Sequence, residues 1–255
     1  MYQDERLLEI KAYLKKHKRI SINQMIDLFG ISRDTARRDL VRLEDDDEII
    51  RTRGGAKLVV PPLPPTVVDS QEQFQSLELR ALAKSALSLI KSGDRLLLDR
   101  SITVQYLSHL LEIDDVLVLT NSIEQVNILS KNSHANVRLL GGLLDKRGKF
   151  LFGASLIEEL NTSYVDDVII GATGFTSAGL YHSSEEEAFV LKRMTECGDQ
   201  VIVLVEDSII GHKGYCRSID LDVIDIVIFH NDPGKRYHEL LKEHDIQIVI
   251  ANANR

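Results

Sequence analysis

Four of the chain's five prolines fall in one stretch, Pro61-Pro62-Leu63-Pro64-Pro65. Proline fixes φ, lacks a backbone donor and drives the preceding residue towards extended backbone, so no helix or central strand can pass through such a run. The stretch is a semi-rigid spacer. It obliges a chain of 255 residues to build separate cores on its two sides, which suits two domains of unequal size. The expected division is residues 1–58, a linker over 59–72, and residues 73–255. No internal repeat and no further low-complexity tract interrupts this plan.

Charge is unevenly divided across the spacer. The net charge of −8 is wrong for a nucleic-acid binder taken whole, yet residues 1–58 hold 13 Lys+Arg against 11 Asp+Glu, leaving +2 there and −10 for the remainder. Phosphate binding needs local positive potential, not a positive total. Within the front segment the acids also cluster, in Glu44-Asp45-Asp46-Asp47-Glu48, and leave Arg33, Arg37, Arg38 and Arg42 together. Apolar residues make up 44%, ample for buried cores, and no apolar run approaches the ~20 residues of a membrane span. The polar, acidic start Met1-Tyr2-Gln3-Asp4-Glu5 is unlike a signal peptide. Two cysteines, Cys197 and Cys216, are too few for a disulfide framework. A soluble, cytoplasmic protein with reduced thiols and no membrane partner is expected.

The front segment reads as helices followed by a hairpin. Leu7, Leu8, Ile10, Ala12 and Tyr13-Leu14 make an amphipathic helix running into the basic stretch Lys15–Arg19. Ser21-Ile22-Asn23-Gln24 is an S-x-x-Q capping box, and the short helix it opens carries Met25, Ile26, Leu28 and Phe29 before Gly30 stops it. Only Gly30-Ile31 separate it from the next cap, Ser32, the tight connection of a helix-turn-helix. The third helix, from about Arg33 to Leu43, buries Ala36, Leu40 and Leu43 at i, i+4 and i+7 and turns its arginines outward. Residues 48–53 and 56–59 read as two strands joined at Gly54-Gly55, where glycine tolerates φ > 0. That hairpin is a wing.

A recognition helix lays its N-terminal half in the major groove. Arg33, Thr35 and Arg37 are placed to reach bases, Ser32 and Ser21 to cap helices and meet DNA, and Arg38 and Arg42 to hold the backbone. Arg51 and Arg53 of the wing would reach a flanking minor groove or the backbone. Arginines alone would make only a solvated face; the cap, the tight turn, the buried spacing and the wing together imply double-stranded DNA as partner.

Beyond the spacer, apolar, often β-branched runs alternate with helical stretches. The strands expected are Arg95–Asp99, Val116–Thr120, Val137–Leu140, Val165–Ile170, Val201–Val205, Ile224–Phe229 and Ile246–Ile250. Helices are expected over Thr103–Leu111, Ile123–Lys131, Ser155–Leu160, Glu185–Cys197 and Lys235–Glu243. Strands apolar on both faces imply a mostly parallel sheet covered by helices. The fold class is therefore α/β: an N-terminal winged helix-turn-helix and a C-terminal Rossmann-like domain, whose ligands would sit at the strands' C-terminal ends.

Ile31-Ser32-Arg33-Asp34-Thr35-Ala36-Arg37-Arg38-Asp39-Leu40, followed by Arg51-Thr52-Arg53-Gly54-Gly55-Ala56, resembles the DeoR family of bacterial regulators. That family's pattern is V-S-x-x-T-I-R-R-D-L, then R-x-x-G-G-A. Thr120-Asn121-Ser122, Leu140-Gly141-Gly142, Gly153 and Glu187-Ala188 extend the resemblance over nearly the whole chain. It implies a sensor domain related in fold to ribose-phosphate isomerases and sugar-phosphate deaminases. It also implies a repressor of carbohydrate-metabolism genes that leaves operator DNA on binding a phosphorylated sugar or polyol. Helix-turn-helix proteins bind paired half-sites, so a homodimer or homotetramer is expected.

The resemblance places effector contacts at Asp99, Arg100, Ser101, Thr103, Asn121, Gly141, Gly142 and Glu187. The family's phosphate loop reads D-S-G-T-T, where this chain has Asp99-Arg100-Ser101-Ile102-Thr103. Arg100 adds a charged donor there. Two lysines common in the family stand here as Ile209 and Leu191, which removes cations that would pair a phosphate. Gly141-Gly142 can equally serve a turn, and Asn121-Ser122 a helix cap. Glu185 and Glu186 need only the positive end of a helix.

The rival reading is an isomerase- or deaminase-like enzyme with a DNA-binding extension. Asp99 and Glu187 could supply acid and base, but the lysines are gone and no G-x-S-x-G elbow occurs. No enzymatic activity, no cofactor and no metal is expected. His212 and Cys216 share an i, i+4 spacing, and His182 and Cys197 lie elsewhere, without the paired CxxC or HxxxH elements of a zinc site.

Overall fold

The computed structural model describes residues 3–17, 19–45, 49–52, 54–58, 76–132 and 134–252. The expected linker at 59–72 and Arg53 lie outside the described residues. The chain divides into two compact units, Met1–Leu63 and Pro64–Arg255.

The front unit holds α1 (Gln3–His17), β1 (Arg19–Ser21), α2 (Ile22–Phe29), α3 (Arg33–Asp45), β2 (Ile49–Thr52) and β3 (Gly55–Leu58). Leu7, Ile10 and Leu14 of α1 share one core with Met25 of α2 and Ala36, Leu40 and Leu43 of α3. Ser21 caps α2 reciprocally: its Oγ accepts from Gln24 N at 3.1 Å, and its own N–H donates to Gln24 Oε1 at 2.8 Å. Gly30 closes α2 in the left-handed region at φ 63°, donating its N–H to Ile26 O.

One element and one reason differ from expectation. The end of the basic stretch, Arg19–Ser21, is a strand that pairs antiparallel with β3, making the wing sheet three-stranded in the order β1-β3-β2. Gly55 lies in β3, not in the turn. A Cβ there would stand 2.0 Å from Ile20 O, so Gly55 is required by the close approach of β1 and not by a positive φ.

In the second unit, α4 (Leu77–Leu87) precedes β4 (Arg95–Leu98), α5 (Ile102–Leu110), β5 (Leu117–Thr120), α6 (Ile123–Asn132) and β6 (Asn136–Leu139). A hairpin, β7 (Leu143–Asp145) and β8 (Phe150–Phe152), leads to α7 (Ala154–Asn161) and β9 (Val165–Ile170). Then come β10 (Gly174–Thr176), β11 (Gly179–His182), α8 (Glu185–Thr195), β12 (Gly198–Val205) and β13 (Cys216–Ile219). β14 (Ile226–Phe229), α9 (Lys235–Glu243) and β15 (Gln247–Ile250) complete it.

The main sheet has seven strands in the order β15-β14-β12-β9-β4-β5-β6, and every pairing is parallel. Alternate residues face opposite covered sides. Leu97, Val168 and Val203 pack with α7, α8 and α9, while Leu96, Leu98, Ile169 and Ile202 pack with α4, α5 and α6. Two buried faces explain why the strands read as unbroken apolar runs. From β4 the chain winds outward through β5 and β6, then returns beside β4 as β9 and winds the other way. The switch point lies between β4 and β9, where doubly wound sheets open a ligand crevice.

Candidate functional site

The first candidate surface is the outer face of α3. Ser32 Oγ caps the helix by accepting from Thr35 N at 3.1 Å and also meets Thr35 Oγ1 at 2.9 Å. With Ala36, Leu40 and Leu43 buried, Arg33, Arg37, Arg38 and Arg42 are exposed and Thr35 is half-buried. Their internal contacts are light: Arg33 Nη2 to Asn23 Oδ1 at 3.2 Å, Arg42 Nη1 to Gln3 Oε1 at 3.2 Å, and Arg37 to Asp34 at 3.9 Å. Exposed contacts of this kind are worth little and exchange readily for phosphate or base edges. Of Arg51 in β2 only the backbone is described.

The helix is braced from behind by a pair that sequence reasoning missed. Arg6 Nε and Nη2 donate to Asp39 Oδ2 and Oδ1 at 2.6 and 3.1 Å, with Asp39 wholly buried. Asp39 follows the outward Arg37 and Arg38 in sequence, and only its spacing of three from Ala36 and four from Leu43 hints that it points inward.

The second candidate is a small cavity at the switch point, about 10 Å³, lined by Asp99, Arg100, Asn121, Phe150, Glu187, Val190, Leu191 and Met194. Asp99 follows β4 directly. Its Oδ1 accepts from Ser101 N at 3.1 Å and Ser101 Oγ at 2.6 Å, and its Oδ2 accepts from Gly171 N at 3.3 Å across the switch point. Its backbone carbonyl accepts from the Gln125 side chain. Burial pushes this carboxyl up to about 7 against the lowering effect of Ser101, with the nearby charge of Glu187 adding to the rise. Ser101 caps α5, accepting from Val104 N, and Gly171 is needed beside it, because a Cβ would lie 2.4 Å from Ser101 Oγ.

Arg100 crosses the cavity. Its Nη2 pairs with Glu187 Oε1 at 2.8 Å, and its guanidinium lies 4.5 Å from the Phe150 ring centroid. Glu187, in the first turn of α8, also accepts from Ser183 Oγ at 2.9 Å. Burial would raise Glu187, but His182, Arg100 and Ser183 outweigh it and hold the carboxylate below its usual range. Burial also pulls His182 below the ordinary histidine value, so the ring is neutral near pH 7 and Arg100 is the lasting counter-charge. His182 Nε2 donates to Gly171 O at 3.0 Å, which leaves Nδ1 to accept from Ser218 Oγ at 2.6 Å.

The remaining sequence candidates divide. Asn121 lines the cavity, and Ser122 caps α6 by accepting from Gln125 N. Thr103 is buried but donates to Glu206 Oε1 at 2.9 Å. Gly141 gives its N–H to Glu159 Oε1 at 2.9 Å. Gly142, at φ 145°, passes so close to β8 that a Cβ would stand 2.4 Å from Phe152 O. Both glycines serve the turn into the hairpin. Phe150 was not anticipated; its place in β8, itself unread, hid it. A further group, Glu78, Asp207 and His230, gathers off the ends of β12 and β14. Its polar atoms are engaged internally: Asp207 accepts from His230 Nδ1 and from Asn231, and Glu78 from Asp207 N.

Residues 6–61 match the model of the DeoR-like helix-turn-helix domain, and residues 75–231 that of the DeoR C terminal sensor domain. The chain is 38% identical to the HTH-type transcriptional repressor GlcR of Bacillus subtilis, over 98% of this chain and 97% of that protein. It is 25% identical to the glycerol-3-phosphate regulon repressor of Escherichia coli K12, over 98% of this chain and all of that one. Among solved structures, ribose 5 phosphate isomerase A from Neisseria gonorrhoeae aligns with 52% of each chain at 12% identity and a TM-score of 0.38.

Proposed function

This chain belongs to the DeoR family of transcriptional regulators, and we propose that it is a sequence-specific repressor whose hold on operator DNA is set by a small effector bound at the switch-point cavity. The observation that carries the reading is α3: four exposed arginines on a helix whose other face is buried and braced by Arg6–Asp39. In this reading Arg33, Thr35 and Arg37 read bases, and Ser21, Ser32, Arg38, Arg42 and the wing arginines Arg51 and Arg53 meet phosphates. Repression is the default action, as the names of its relatives say of them. The working form is a homodimer or homotetramer in the cytoplasm, its subunits joined through residues 73–255 with 59–72 as linker.

The effector is a phosphorylated sugar or polyol, and the domain senses it without turning it over. Asp99 is tied to Ser101 and Gly171, and Glu187 to Ser183, so each carboxylate already serves an internal hydrogen bond apart from any pairing with Arg100. Product formation from ribose 5-phosphate would overturn that part.

The test of the whole is a gel shift with the full chain. It should retard duplex DNA at low salt and lose affinity by roughly 10³-fold or more between 50 and 200 mM salt. A variant with Arg33, Arg37, Arg38 and Arg42 replaced by Ala should keep its thermal transitions and retard no DNA. Retardation by that variant equal to the wild type contradicts the assignment.

A further inference from the structure

Two polar atoms of residues lining the cavity are buried with no hydrogen-bond partner among the described residues: Arg100 Nε and Asn121 Oδ1. The Asn121 amide cannot simply be turned, because Nδ2 donates to Leu151 O at 2.8 Å and a carbonyl only accepts. A buried polar group left unmet costs about 1–3 kcal/mol. These two ask for opposite things, an acceptor for Arg100 Nε and a donor for Asn121 Oδ1. A hydroxyl beside an anionic group supplies both.

The cavity, at about 10 Å³, has room for about one water, so a larger ligand must displace something. The one cation among the lining residues is Arg100, and it is already paired with Glu187. The Leu191 wall, with Val190 and Met194, offers an anion nothing. Glu187 keeps a second partner, Ser183 Oγ, if Arg100 leaves it. Arg100 keeps the Phe150 face beneath it.

We infer that Arg100 selects the effector by exchange: the ligand's phosphate takes the guanidinium from Glu187, an internal competitor, while a neighbouring ligand hydroxyl donates to Asn121 Oδ1. The inference rests on reading this cavity as the effector site. It makes Glu187 an opponent of binding, the reverse of what a ligand contact would be. It also places the displaced charge in the first turn of α8, the helix that carries Val190, Leu191 and Met194 against the cavity. Effector binding and the loss of Glu187's cation are thereby one event.

The probes are inorganic phosphate, methyl phosphate and glycerol 3-phosphate, titrated calorimetrically into the full-length protein. Glu187→Gln, which keeps shape and the Ser183 contact, should bind all three about tenfold tighter than wild type, and Arg100→Gln should bind none. Glycerol 3-phosphate should bind about tenfold tighter than methyl phosphate, and Asn121→Ala should erase that preference while leaving methyl phosphate unchanged. Thermal transitions of each variant confirm that it folds. Weakened or unaltered phosphate binding in Glu187→Gln overturns the exchange. If no phosphate binds wild type or Glu187→Gln, yet a different ligand frees the protein from DNA, the exchange is wrong and effector control stands. Tighter phosphate binding in Glu187→Gln without any effect on DNA affinity would support the exchange and sink effector control through this cavity.

Discussion

Arginine is used in two opposite ways in this chain. On α3, Arg33, Arg37, Arg38 and Arg42 stand in water with light contacts, whereas Arg100 is half-buried, paired with Glu187 and laid on Phe150. An exposed guanidinium surrenders little when it meets phosphate, so a flat face of them suits a long polyanion bound in a salt-dependent way. A buried, paired guanidinium can take a new anion only by giving up the old one, which suits a switch. The front unit has its own buried pair, Arg6–Asp39, but there two hydrogen bonds close the fork on a wholly buried carboxylate. The same pairing braces one domain and primes the other.

Asp39→Ala should break this contrast most severely. It removes the wholly buried carboxylate to which Arg6 Nε and Nη2 donate, a loss of ~3–5 kcal/mol from a small unit. DNA binding should vanish while the α/β unit's thermal transition stays in place; retained DNA affinity would show the brace to be dispensable. Next comes Arg37→Ala, expected to weaken specific binding by ~1–3 kcal/mol if Arg37 reads a base. An equal loss on random duplex would move it to the phosphate contacts. Ser21→Ala removes one half of a reciprocal cap and should cost about 1 kcal/mol of front-unit stability in a denaturant titration, with no change at the cavity. Arg38→Ala should lower the slope of log affinity against log salt by about one, and an unchanged slope would remove Arg38 from the interface.

A further effect concerns the α/β unit and pH. Asp99 and Asp167 are raised to about 7 and about 6, chiefly by burial. The folded α/β unit therefore keeps protons that the unfolded chain has released. Through these two carboxyls its stability should fall as pH rises from about 4 to about 7, because the native state then keeps protons that the denatured one releases, while His182, held neutral by burial, opposes the trend below its ordinary value. Asp166, which Arg95 holds down to about 2, acts oppositely and only below this window, its contribution being lost as pH falls towards about 2. Asp167→Asn should reduce the slope between about pH 4 and 6 in urea titrations and leave that above it to Asp99, and a midpoint flat from pH 4 to 7 in both the wild type and this variant would contradict the buried, protonated state.

The two units also differed in how far the sequence disclosed them. In the front, the contacts that define the fold are local: Ser21 with Gln24, Gly30 with Ile26, Ala36 with Leu40 and Leu43. Each is a short spacing and could be read directly. The main sheet was equally legible, because a strand buried on both faces must be an unbroken apolar run. The helix α4 also carried a readable period in Leu79, Leu82, Ala83 and Ala86, although no helix was expected before β4. The strands β1, β7, β8, β10, β11 and β13 are too short for alternation to show, and β11 finds β13 only across a long intervening stretch. The cavity was half legible. Asp99, Arg100, Asn121 and Glu187 came from motifs, but the Arg100–Glu187 pair, the Phe150 face and the commitment of Gly141 to Glu159 are distant contacts that no spacing encodes.

The central claim is that this chain reads DNA sequence through α3, and selection from a random duplex library with the full-length protein tests it most directly. The account expects one enriched motif, arranged as paired half-sites, bound at least ~10³-fold more tightly than a scrambled duplex at physiological salt. An unenriched pool, or selected and scrambled duplexes bound alike, would contradict it.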